Sequence, residues 1–140
     1  MKIYQGFTLI ELVIVILIVG ILAAVSLSIV RGRVETAKWS EANATAGAIK
    51  KCVRAYIVDK DETYDYSGIE TALDVQETYE ALGFLDGDLR GFYFNQGDYI
   101  ISNINPADGT CVVSVTSSKA NGPEGTGTLA ADGTWSVATN

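Results

Sequence analysis

Phe7–Val30 reads FTLIELVIVILIVGILAAVSLSIV, 24 residues in which Glu11 is the one charged side chain. From Leu12 to Val30 no charge occurs at all. At about 1.5 Å per residue, a helix of this length covers roughly 36 Å, more than the ~30 Å hydrocarbon core of a bilayer. A helix on a soluble core is apolar along one face only, whereas this one is apolar all round. It is expected to be buried in a membrane or between subunits, with the residues after Val30 forming a soluble head carried on it.

Outward from that stretch, the helical pattern continues. Ala42, Ala46, Ile49, Val53 and Tyr56 recur at alternating steps of four and three, which puts them on one face, and Lys50, Lys51 and Arg54 fall elsewhere on the wheel. No proline occurs before Pro106. Gly20, Gly32 and Gly47 each weaken a helix by about 1 kcal/mol relative to alanine and mark sites where it could bend. The expectation is one helix from Phe7 to about Val58, of about 52 residues and some 78 Å. Its first half is apolar and its second half is amphipathic.

Asp59–Ser67 is polar and turn-like. Ser67 and Glu70 have the spacing of a capping box, predicting a second helix from there through about Leu82, closed by Gly83. Short strands are then predicted at Gly91–Phe94, Tyr99–Ile104, Cys111–Thr116, Gly127–Ala131 and Thr134–Ala138. The Asn105–Gly109 cluster is a turn, and Asp132-Gly133 suits a two-residue type I′ hairpin. The fold class is α+β: a long N-terminal helix whose second half packs on a small antiparallel sheet of three to five strands.

The 140 residues allow one modest head core and no large cleft between domains. Ten basic against 17 acidic side chains give a net charge of −7, most of the acid lying beyond residue 58. An acidic head argues against phosphate or nucleic-acid binding. There is no histidine, which removes the commonest general base and transition-metal ligand. No nucleophile–base pair can be proposed without it, and a Ser–Lys arrangement has no support. Cys52 and Cys111 are too few for a zinc site; the alternatives are two buried thiols or, in an oxidising compartment, a bridge contributing roughly 4 kcal/mol.

Gly6-Phe7-Thr8-Leu9-Ile10-Glu11-Leu12, followed by the apolar run, closely resembles the prepilin signal of type IV pilins and of type II secretion pseudopilins. The resemblance covers about the first 30 residues, and the helix-then-sheet layout also fits. It implies a leader at 1–6, a transmembrane and filament-core helix at 7–30, and a head at 31–140 that includes the second half of the helix. It implies that a prepilin peptidase cuts between Gly6 and Phe7 and that Phe7 is N-methylated. Glu11 would pair with the new amino group at Phe7, usually that of a neighbouring subunit. The partners implied are the peptidase, other copies or pilin-like subunits, an inner-membrane assembly platform and membrane lipid, with no nucleic acid.

Physics agrees with that role for Glu11. A carboxylate in an apolar segment is costly, and cleavage creates a cation one helical turn away to offset it. The competing reading lets Glu11 reach the membrane surface unaided. Two departures from the family pattern stand out. The proline that many pilins carry towards the end of the apolar run is replaced by Ser26 and Ser28, leaving Gly20 as a weak point. Lys2 is outweighed by Arg31, Arg33 and Lys38, a balance that alone favours a cytoplasmic head. The resemblance, the cysteine pair and the Gly/Thr-rich hairpins favour an extracytoplasmic one.

The chain is thus expected to be a non-enzymatic structural subunit of a type IV pilus or a secretion pseudopilus. The short chain, acidic head and lack of an obvious C-terminal disulfide loop lean slightly to the pseudopilus. The alternative is a single-pass anchored binding module that never polymerises. No cofactor is expected. Asp59, Asp61, Thr63 and Glu70 approach an EF-hand register but have Tyr64 where the turn needs glycine. Asp86, Asp88, Asp98, Asp108 and Asp132 could supply calcium oxygens, in no diagnostic spacing. Of the aromatics, Phe92, Tyr93, Phe94 and Tyr99 are expected to be half core, Trp135 core, and Trp39 an interfacial anchor or a contact between head and helix.

Overall fold

With no proline to interrupt it, helix α1 runs from Leu9 to Asp59, 51 residues. This computed structural model describes residues 6–61 and 63–139, with the side chains of Leu27, Ser28 and Arg31 outside that description. Residues 1–5 of the leader expected at 1–6, including Lys2, and the features expected of Ser28 and Arg31 therefore lie outside the described residues. The chain forms two units, residues 1–36 and 37–140, and α1 contributes to both.

In the first unit every described side chain from Phe7 to Val34 is exposed, Leu12 at 56% and Leu17 at 60%. Leu9–Ser26 is long and apolar enough to cross a membrane. The Ser26 hydroxyl donates to the Leu22 carbonyl at 2.8 Å, so it is satisfied inside the helix and does not break it.

In the second unit the expected stripe is buried: Ala42, Ala46, Ile49 and Val53 are fully covered. Ile57 completes it, and Tyr56 sits half-buried on its flank. After Asp59 the chain turns because the Asp61 carboxylate takes the Thr63 amide at 2.7 Å and the Thr63 hydroxyl.

The second helix differs from expectation. A 3₁₀ turn, Tyr66–Ile69, is capped by Asp65, which accepts from the Ser67 amide, and α2 spans only Gln76–Ala81. Glu70 does not close a capping box with Ser67; its carboxylate instead accepts from the Ile104 amide at 2.6 Å. Between the helical turns, Thr71–Leu73 pairs briefly with the sheet edge: Leu73 N donates to Tyr99 O and Ile101 N to Thr71 O, each at 3.0 Å. Tertiary pairing of these backbone groups shortens the helix.

The sheet is a four-stranded antiparallel meander, β1 (Tyr99–Asn105), β2 (Thr110–Val115), β3 (Thr126–Leu129) and β4 (Trp135–Ala138), in that order. Tyr99 pairs with Val115, Val113 with Leu129, and Leu129 with Trp135, so alternate residues line one face. That face, with Tyr99, Ile101, Cys111, Val113, Val115 and Leu129 buried, forms one core with the buried stripe of α1.

Gly91–Phe94 is not a strand. Its backbone is satisfied by side chains: Glu41 Oε1 accepts from Tyr93 N at 3.0 Å, Lys119 Nζ donates to Gly91 O at 2.5 Å, and Ser117 Oγ donates to Tyr93 O at 2.7 Å. The last hairpin is also not a two-residue type I′ turn, which would need a positive φ at Asp132. Gly133 alone takes one, +89°, with Gly133 N bonded to Ala130 O and Ala130 N to Thr134 O. This is a three-residue connection with glycine at the left-handed position.

Candidate assembly site

At its N-terminus α1 begins with a reciprocal cap. Thr8 N and Thr8 Oγ1 donate to Glu11 Oε2 at 2.9 and 2.7 Å, and Glu11 N donates to Thr8 Oγ1 at 3.3 Å. This is the Thr-x-x-Glu capping box, which satisfies amides the first turn leaves open. The Thr-x-x-Glu spacing at residues 8–11 carries this signal in the sequence, whereas the Ser67–Glu70 spacing where a box is expected forms none.

Gly6 and Phe7 precede the helix, outside any helix or strand. Phe7 is 78% exposed, and a Cβ at Gly6 would meet nothing within 4 Å. The Gly6–Phe7 bond is thus outside helical hydrogen bonding and sterically open. In the uncut chain the Phe7 nitrogen is an uncharged peptide amide. Cutting that bond converts it to a cationic amine just before the Thr8 cap, one turn from the Glu11 carboxylate. Glu11 is the one acidic residue in the first turn of α1.

Cys52 and Cys111 stand as free thiols, Cys52 half-buried and Cys111 buried. Of the two alternatives, the structure shows the free thiols, with no bridge formed. Cys111 lies close enough to Lys50 for that ammonium to favour its thiolate. Cys52, two residues further along α1, is rotated by about 200° from Lys50. Burial outweighs the ammonium and pushes the Cys111 thiol up to about 11.

Of the acidic residues weighed for calcium, Asp86 and Asp98 line one pocket with Asp74 and Arg90, and the others lie elsewhere with partners of their own. Asp88 accepts from Leu85 N, Asp98 from Asn95 N and Ser118 N, Asp108 from Asn105 Nδ2, and Asp132 from Thr134 N. Asp59 pairs with Lys60, while Asp61 and Glu70 serve Thr63 and Ile104, so the EF-hand-like register is not assembled. Among the described residues no group of three acidic or cysteine side chains could hold a metal.

Trp39 is buried in the second unit, with its ring 5.7 Å from Phe94 and 6.2 Å from Trp135. It is a core residue of the head and not a membrane anchor. Phe94 and Tyr99 are fully buried, Tyr93 is half-buried, and Phe92 stays 70% exposed. Trp135 is half-buried against the core.

The family model for the prokaryotic N-terminal methylation motif matches residues 1–27. Fimbrial protein EcpC of Eikenella corrodens is 48% identical over 59 residues, 42% of this chain and 39% of that protein. The match therefore spans about two-fifths of the relative's length. No solved structure matches the chain.

Proposed function

The methylation motif and the homology to a fimbrial protein support membership of the type IV pilin family, and from that premise we propose that this chain is a fibre subunit cut between Gly6 and Phe7. The new Phe7 amine is N-methylated, and the processed chain is held in the inner membrane by its apolar helix with the head outside. Assembly moves Leu12–Val30 from lipid into a bundle of like helices, exchanging one apolar surrounding for another. The Phe7 cation of one subunit meets Glu11 of its neighbour there, and each offsets the other's cost in an apolar medium. The activity is mechanical, in keeping with a family whose members are typically structural.

The observation that carries this reading is the pairing of an open Gly6–Phe7 bond with a lone carboxylate at the start of an apolar helical segment whose described side chains are all exposed. Pilus and secretion pseudopilus share this chemistry; similarity to a fimbrial protein favours a pilus. Intact mass of the protein from its native membrane tests the reading. Loss of Met1–Gly6 with one added methyl group is expected. An unprocessed N-terminus would make the chain a plain membrane anchor, and electron microscopy of the cells separates long fibres from a short pseudopilus.

A further inference from the structure

A groove of about 330 Å³ runs along the second unit between α1 and two hairpin turns. Its helix wall carries Lys50, Lys51 and Arg54; its turn wall, opened by Gly109 and Gly133 at positive φ, carries one carboxylate, Asp132, which accepts from the Thr134 amide and leaves the lining net basic. Lys50 is committed to the fold, since its ammonium donates to the carbonyls of Ala130 at 2.5 Å and Ala131 at 2.7 Å. Lys51 and Arg54 are exposed and, among the described residues, have no hydrogen-bond or ion-pair partner. Two unpaired cations beside an open groove are conspicuous in a chain of net charge −7.

The complement lies on the same head. Asp59, Asp61 and Asp65 are exposed on the loop that closes α1. Lys60, the base within that loop, is held at home by Asp59 at 3.3 Å and by the rings of Tyr56 and Tyr64. Arg54 and Asp59 are five residues apart, which rotates them by about 140° around the helix and separates them by roughly 8 Å along it. The two patches therefore face different sides, and a copy shifted along the helix axis can set its acid against its neighbour's base without turning over.

We propose that the Lys51–Arg54 groove receives the exposed acids Asp59, Asp61 and Asp65 of a second copy of this chain. This rests on the reading of the chain as a fibre subunit. Because the joined patches differ, the contact is heterologous: each added copy presents a fresh groove or loop, and the series stays open instead of closing as a dimer. The pairing orients neighbours and weakens as salt rises.

The test uses the full-length chain in its membrane, treated with a carbodiimide, which condenses a paired amine and carboxylate without a spacer. A ladder of multimers is expected, with Lys51 joined to Asp59, Asp61 or Asp65 of another copy in the digested bands. Lys51→Glu with Arg54→Glu should reduce the ladder about tenfold by setting like charges together, as should Asp59→Lys with Asp61→Lys, and all four together should restore it. Near-ultraviolet dichroism from Trp39 and Trp135 checks that each variant folds. A single dimer band, joints through other residues only, or a groove variant that the loop swap does not rescue would each overturn the proposal. Processed chains that still form fibres without the Lys51 joint sink the groove alone. Uncut, monomeric chains sink the fibre reading and the groove with it.

Discussion

Glu11 turns its carboxylate back onto Thr8, taking both the amide and the hydroxyl of that residue through one oxygen, Oε2. The cap and the charge proposed for assembly are therefore the same group. A side chain that starts the helix also carries the negative charge that a neighbouring amine would meet, so substitutions can separate the two roles.

Glu11→Gln keeps a side-chain oxygen for the Thr8 cap and loses the charge. It should leave helix content and cleavage unchanged and remove assembly, because an unpaired buried cation costs on the order of 3–5 kcal/mol. Thr8→Ala should do the reverse, weakening the cap by about 1 kcal/mol and speeding amide exchange in the first turn about fivefold while fibres still form. Mass spectrometry of processing beside fibre yield reads both. Normal fibres from Glu11→Gln would remove the charge from the mechanism.

Gly127 is threaded between two indoles. A Cβ there would stand 2.5 Å from Trp135 and 2.8 Å from Trp39, inside any real contact. Gly127→Val should cost roughly 1–3 kcal/mol by overpacking and flatten the near-ultraviolet dichroism of the tryptophan pair. A Trp135→Ala partner change should recover part of the loss, as expected for residues in contact. Urea unfolding of the full chain in detergent gives the values.

Gly91 has a different constraint. A Cβ would sit 2.1 Å from the Glu41 Oε1 that accepts the Tyr93 amide. Gly91→Ala should displace the Glu41 carboxylate and cost about 1.5–3 kcal/mol, the range for a hydrogen bond to a charged group. In a Glu41→Ala background the same change should cost almost nothing. Equal costs in both backgrounds would show that the glycine serves the loop for another reason.

The head should lose stability in alkali. Burial raises the Cys111 thiol from its ordinary value of 9.0 to about 11 and the Tyr99 phenol from 10.0 to about 12. Between the unfolded and folded values the folded chain binds more protons, so stability falls as pH rises. Denaturant midpoints should hold level up to about pH 9 and decline from there to about 12. The thiolate is the reactive form, so Cys111 should also resist thiol reagents at neutral pH until the head unfolds. A Cys111 that never titrates, even unfolded without reductant, would indicate the bridge to Cys52.

Composition and period alone determined the long helix, because nothing between Phe7 and Asp59 can break it and its apolar pattern changes from all-round to one-sided. The methylation motif was legible because local chain order carries it. Four of the strands, with alternate inward residues, followed from turn chemistry and period. Long-range contacts decided the rest. Gly91–Phe94 has strand-like composition, yet Glu41, Ser117 and Lys119 take its backbone groups. The box-like spacing at Ser67 yielded to Asp65, while Glu70 was drawn to Ile104, 34 residues away. The same holds for the thiols and for the Lys51–Arg54 groove. Spacing in the chain says how far apart two residues are along it, and only packing fixes the sides of the helix on which they meet.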